Sequence, residues 1–196
     1  MKSLHKAFLF IVFLGITIAL LSHWHEHRND NSTYLEQLEH TIACAEWNLH
    51  EDSAFGYQMY YPSCFMPAQM DSDEEGAVRY VYVEEVSPLR SVNYMTLEVT
   101  TEVCTGTLNP YREVQRMAEK IRGICLQQSP TEYLMTATLK SNNPKVTAFR
   151  MNAKYVLRQK LWFVETFIYP KDFSPAIQRI VQKVNDWQPF PPSQVP

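Results

Sequence analysis

The segment Leu161-Trp162-Phe163-Val164-Glu165-Thr166-Phe167-Ile168-Tyr169 constrains the fold more than any other part of the chain. Successive side chains of a strand point to opposite faces of a sheet. Here both alternation classes are largely apolar, whereas a strand with one wet face would alternate cleanly. The segment therefore reads as a central strand covered on both sides, which calls for helices on both faces of its sheet. The neighbouring strand-like runs are joined by short turns, so the sheet should be mainly antiparallel. The expected fold class is α/β, a three-layer α-β-α sandwich.

The remaining elements follow from local pattern. Thr33 can cap a helix, with Glu36 three residues on to complete a capping box. Leu35, Leu38, Ile42 and Ala45 share one face of that helix, which should end near Trp47. Phe55 to Tyr61 reads as a strand closed by Pro62. Ala77 to Glu85 and Val92 to Val103 read as two more, rich in β-branched and aromatic residues. Met95, Leu97, Val99 and Val103 share one face, and Thr96, Glu98 and Thr100 the other. Asn109-Pro110 is a cap followed by a first-turn proline. Val114, Met117, Ala118 and Ile121 form the buried stripe, and Gly123 suits the helix end. Tyr133 to Leu139, Val146 to Leu157 and Trp162 to Tyr169 are strands, the last two joined tightly around Arg158 to Lys160. Ser174-Pro175 opens a last helix with Ile177, Ile180, Val181, Val184 and Trp187 on its inner face.

The amino terminus is of a different kind. Lys2 and Lys6 precede an uncharged apolar run from Ala7 to Leu21. Ser22 to Trp24 extend it to about 18 residues, the low end for a spanning helix, with Trp24 at headgroup level. A small-x-small cleavage site is missing, because Leu20 is bulky at the best −3 position, and an uncleaved signal anchor is preferred to a removed signal peptide. The two lysines hold the amino end in the cytoplasm, so the remainder is exported. The organisation expected is an anchor over 1–24, a polar stalk over 25–32, a globular domain over 33–190 and a Pro-rich tail over 191–196.

Bulk properties exclude several functions. A formal net charge of −3 offers no field for phosphate backbones, so nucleic acid is not an expected partner. With 5 glycines in the chain, neither GxGxxG nor GxxxxGK occurs, and no cofactor is expected. The four cysteines, Cys44, Cys64, Cys104 and Cys125, are disulfide candidates in an exported domain. Cys104 and Cys125 flank a helix of about 12 residues, which puts its ends about 18 Å apart, so a bond from Cys44 or Cys64 to one of them is the more plausible pairing. Four buried free thiols are the alternative.

Candidate chemistry is sparse. His23, His25 and His27 alternate, and imidazoles suit Zn, Cu or Ni. A juxtamembrane stalk whose rings lie at the interface is the preferred reading, since a flexible site without a second shell is weak. His40 and Cys44 stand four apart on one helix face, where a Cys–His pair can be nucleophilic, although no oxyanion hole or orienting group accompanies them. The acidic loop Asp71 to Glu75 lacks the glycine placement of a calcium loop. Asn31-Ser32-Thr33 matches a glycosylation acceptor.

The order of elements resembles the Mog1/PsbP-like fold. The resemblance rests on the opening strand Phe55-Gly56-Tyr57-Gln58-Met59-Tyr60-Tyr61-Pro62-Ser63 and on the closing hairpin and helix, Tyr155 to Trp187. With the middle helix it covers about residues 50 to 190. It implies a small, often exported, non-enzymatic binding or assembly domain, and a fold-level likeness carries no site with it. The expected function is thus a membrane-anchored extracytoplasmic binding or assembly domain, bound to the membrane through its first helix and to a protein partner. The alternatives are an envelope metal-handling protein using His23, His25 and His27, and a secreted soluble domain. If the anchor is uncleaved, the protein stays in the membrane pellet after a carbonate wash with Met1 or Lys2 at its terminus. An amino terminus at His23 or later would show cleavage.

Overall fold

The apolar strand at residues 161–169 lies in the middle of the main sheet, with three strands on either side. The computed structural model describes residues 34–69, 75–84, 93–106, 109–141 and 146–190. In chain order the elements are a helix over 34–44 (α1), Trp47–Glu51 (β1), Gln58–Pro62 (β2), Met66–Ala68 (β3), Val78–Glu84 (β4), Asn93–Val103 (β5) and Pro110–Lys120 (α2). Then follow Ile124–Ser129 (β6), Glu132–Lys140 (β7), Ala148–Arg158 (β8), Leu161–Pro170 (β9), a 3-10 turn at Lys171–Phe173, and Gln178–Asn185 (α3). β1 and β2 form a hairpin of their own. The other strands form one sheet in the order β3-β4-β5-β9-β8-β7-β6, with every neighbouring pair antiparallel. The fold is mixed α/β with antiparallel sheets.

Each face of the sheet carries its own apolar cluster. On one face Phe163 and Phe167 of β9 meet Met95 and Leu97 of β5, Leu38 and Ile42 of α1, and Ile177, Ile180 and Val184 from the α3 region. On the other, Trp162 and Val164 of β9 meet Tyr133 of β7, Tyr155 of β8, and Val114 and Ala118 of α2. The helices lie on both faces but not opposite one another: α3 packs over β8 and β9, and α2 over β6 and β7. β9 supplies residues to both clusters, which is why it shows no polar face.

Three expectations are corrected. The first helix stops at residue 44 and not near Trp47, because Trp47 pairs with Pro62 at the start of β1. The Arg179 guanidinium donates to the freed carbonyls of Ile42 and Ala43, satisfying that helix end from α3. At the end of α2 the left-handed residue is Arg122 (φ 56). Gly123 is required for another reason: a Cβ there would stand 2.8 Å from the Thr136 carbonyl oxygen of β7. Last, α3 begins at Gln178, because the Ser174 hydroxyl bonds back to the Lys171 carbonyl (2.6 Å) and closes the 3-10 turn instead of capping a helix.

The short strands β1 and β3 and the edge strand β6 have no counterpart in the sequence pattern. The tight β8–β9 connection is a two-residue turn with positive φ at both Gln159 (52) and Lys160 (68), the sense that matches strand twist. Among the described residues no helix is long and apolar enough to cross a membrane. The anchor, the stalk, Asn31 to Thr33, most of the acidic loop at 71–74 and the tail at 191–196 lie outside the described residues.

Trp187 is 5% exposed and its indole N–H donates to the Gln58 carbonyl at 2.8 Å. Trp187→Ala should lower stability by about 3–5 kcal/mol in chemical denaturation. A loss under about 1 kcal/mol would show that this contact does not hold the hairpin to the core.

Candidate functional site

The β1–β2 hairpin stands outside the sheet and leaves a groove between itself and α3. Its connection is closed by Asp52, whose carboxylate accepts from the Phe55 amide (2.7 Å) and whose carbonyl accepts from Gly56 (2.9 Å). Several contacts tie the hairpin down, among them the Tyr57 hydroxyl donating to the Gly76 carbonyl at 3.1 Å. Tyr61 stacks on Tyr80 of β4 with ring centroids 3.7 Å apart. The Gln58 amide donates to the Pro189 carbonyl at 2.7 Å, and the Gln58 carbonyl accepts from Trp187. The groove encloses about 460 Å³, with Trp47, Tyr60 and Trp187 as walls, Lys183 and Asp186 at the rim and Glu165 at the floor.

Glu165 decides the electrostatics. It is 2% exposed, and its Oε2 is buried with no hydrogen-bond partner. Burial pushes its carboxyl well above the ordinary value, and the Lys183 charge works in the opposite direction. Lys154 stands directly across on β8 and is equally buried. Its ammonium is taken by Glu132 Oε2 at 2.7 Å and by Gln128 Oε1. Lys183 Nζ lies 5.5 Å from the Trp47 ring centroid and 5.3 Å from that of Tyr60, within cation–π range of both.

Glu113 on α2 is the contrasting case. Burial alone would raise its carboxyl. Hydrogen bonds from the Cys104 thiol (3.0 Å), the Thr105 amide (3.0 Å) and the Thr105 hydroxyl (3.1 Å) outweigh burial and hold it below the ordinary range. The Trp162 indole N–H also approaches this carboxylate, too loosely to count as a hydrogen bond, and is otherwise without a partner. This cluster straps the end of β5 to α2 and does not line the groove beside α3.

The sequence-derived candidates fall elsewhere. All four cysteines are free: Cys44 is exposed and the others are half-buried. Cys64 packs on the α3 face and Cys104 and Cys125 on the α2 face, so the sheet stands between Cys64 and the other two. Cys44 ends α1, which also packs on the α3 face. Burial pushes the thiols of Cys64, Cys104 and Cys125 up, with Glu113 adding to the effect at Cys104, which keeps them protonated and unreactive. His40 and Cys44 do meet, with Sγ 3.7 Å from Nε2, on an exposed helix surface. His23, His25 and His27 lie outside the described residues. Among the described residues no group of three or more His, Cys, Asp or Glu could hold a metal ion.

The groove is not visible in the sequence. Pattern places Trp47 at a helix end and Trp187 in the core alone. The available signal is Glu165 itself, the one carboxylate in a strand covered on both faces, since a buried ionisable group is the informative exception in such a run.

The chain is similar to cyanobacterial PsbP (CyanoP) from Synechocystis sp. PCC 6803. That solution structure aligns with a TM-score of 0.41 and 12% identity, over 72% of this chain and 91% of that one. The likeness is of the PsbP-like kind that the opening strand and closing hairpin suggested. It concerns fold alone. No family model and no curated protein matches the chain.

Glu165 yields a pH signature. Below the carboxyl's ordinary value of about 4.3 both folded and unfolded chains carry the proton. As pH rises, the unfolded chain ionises first and the buried carboxyl does not, so this residue removes stability from about pH 4.3 up to its folded-state value. Glu165→Gln should match the parent near pH 4 and become progressively more stable above it, by up to about 1.4 kcal/mol per pH unit. Denaturant midpoints between pH 4 and pH 8 measure this. A constant difference across that range would show that Glu165 ionises normally.

Proposed function

We propose that the protein is a binding domain and not an enzyme, anchored by its amino-terminal apolar run with the domain on the exported side of the membrane. Lys2, Lys6 and the run from Ala7 to Leu21 support the anchor and its orientation. The groove beside α3 supports the binding role, and the carrying observation is the unpartnered Glu165 carboxyl at its floor. Concave sites with apolar, aromatic walls and a few placed polar groups suit recognition. The other polar groups there, Arg179, Gln182, Lys183, Asp186 and Gln188, are amides and charges of both signs on one helix and the residues after it. They fit contact with a partner better than proton relay, because a general acid needs an acceptor within hydrogen-bond reach. His40 and Cys44, the one Cys–His pair that meets among the described residues, do not line the groove.

The test is photocrosslinking in intact membranes. Benzoylphenylalanine in place of Tyr60 of the full-length protein should give a discrete adduct. The same group in place of Arg116, on the outer side of α2, should give none. Equal labelling at both positions would overturn the proposal, as would a hydrolytic turnover abolished by one groove substitution.

A further inference from the structure

The chemistry lining the groove bears on the kind of group it binds, an inference that rests on the groove being a binding site. Glu165 lines the groove, and its Oε2 is buried without a partner. A buried acceptor in this state is costly until a donor reaches it. The walls are two ring faces, Trp47 and Tyr60, with a third aromatic, Trp187, beside them. Ring faces attract cations, and a cation is already there: Lys183 Nζ stands 5.5 Å and 5.3 Å from the two centroids. Lys183 is itself exposed and Tyr60 is 44% exposed, so this contact is of the weak, solvent-shared kind and exchanges readily.

An anion fits poorly. Arg179 is committed to the carbonyls of Ile42 and Ala43, Lys183 sits on the rings, and Asp186 opposes negative charge. A guanidinium fits less well than an ammonium, since it asks for two free acceptors side by side, and Oε2 is the Glu165 oxygen that is buried and unpartnered.

We propose that the groove takes a primary alkylammonium, the end of a lysine side chain on a protein partner, which enters between Trp47 and Tyr60 in place of Lys183 and donates to Glu165. Lys183 is then a resident stand-in, a flexible side chain that occupies the site until the partner's amine displaces it. The charged and titratable groups around Glu165 are Lys183 and Arg179 of α3, Asp186 just after it, Lys154 across the strand and the Tyr60 hydroxyl, while β5 presents the apolar Val99. Lys154 and Arg179 are held by other partners, so the incoming ammonium is what ionises Glu165, whose proton leaves to solvent.

Calorimetric titration of the full-length protein in detergent tests this, with Nα-acetyl-lysine amide, its uncharged norleucine analogue and cadaverine as probes. Acetyl-lysine amide should bind with proton release, seen as a heat that depends on the buffer's ionisation enthalpy, and the norleucine analogue should not bind. Glu165→Gln should weaken binding at least tenfold and remove the proton release, with folding checked by thermal denaturation. Lys183→Ala should tighten binding several-fold by removing the internal competitor. Unchanged affinity in Glu165→Gln, or weaker binding in Lys183→Ala, would overturn the proposal. Cadaverine binding without acetyl-lysine amide binding would overturn the lysine side chain as the source. Adducts at Tyr60 with no binding of either amine would sink this inference and leave the binding-domain reading standing, whereas the loss of both would remove both.

Discussion

The double burial of β9 is the constraint on which the rest of the architecture depends. Its odd-numbered residues Phe163 and Phe167 face one cluster, and its even-numbered residues Trp162 and Val164 face the other. Full burial of such side chains contributes roughly 1.5–3 kcal/mol each, so neither face can be left wet. The two helices answer this from opposite sides and are staggered along the sheet, α3 over β8 and β9 and α2 nearer the edge over β6 and β7. The displacement leaves the far face of the β6 edge open, where Ile124 and Leu126 are exposed.

Within that strand a single carboxyl breaks the apolar pattern. Glu165 and Glu113 have the same chemistry and opposite fates. Glu113 receives donors from Cys104 and Thr105 and stays ionised as a structural clasp. Glu165 has an unsatisfied buried oxygen at the floor of a groove, and its natural cross-strand partner Lys154 is held by Glu132 and Gln128. A destabilising group kept in the most buried strand is the kind of local inconsistency expected at a functional position.

The groove depends on elements that add little to the sheet. The β1–β2 hairpin pairs with no strand of the main sheet and is held by Tyr61 on Tyr80, by Pro189, and by the Trp187 indole. Trp187 therefore joins two roles, closing the α3 core and forming one wall of the site. Lys183 crosses to the hairpin's rings from the other side. The hairpin also rests on the core directly, since Tyr57 and Met59 are buried in the same cluster as Phe163 and Phe167 of β9, with the Tyr57 and Phe163 rings 6.2 Å apart.

The covered central strand, the α2 stripe and the inner face of α3 were legible in the sequence, because each is a local pattern of apolar residues, and the antiparallel connections were legible because short turns join the strands. The pair Asn109-Pro110 was legible as a cap followed by a first-turn proline, and the Asn109 side chain does accept from the Arg112 amide. β1 was not, because Trp47-Asn48-Leu49-His50-Glu51 is largely exposed and carries no alternation. Gly123 looked like a helix end and is in fact a close approach to β7, a relation between residues 13 positions apart that no local window contains. The groove is tertiary throughout. Trp47, Tyr60, Glu165 and Lys183 come from four separate elements, and only the packing of the hairpin and α3 over β9 decides that a cation, two rings and an unpaired carboxyl share one space. Periodicity determines which face of an element is buried. It does not determine which polar exceptions on those faces meet, because that depends on register and on which partner takes each charge.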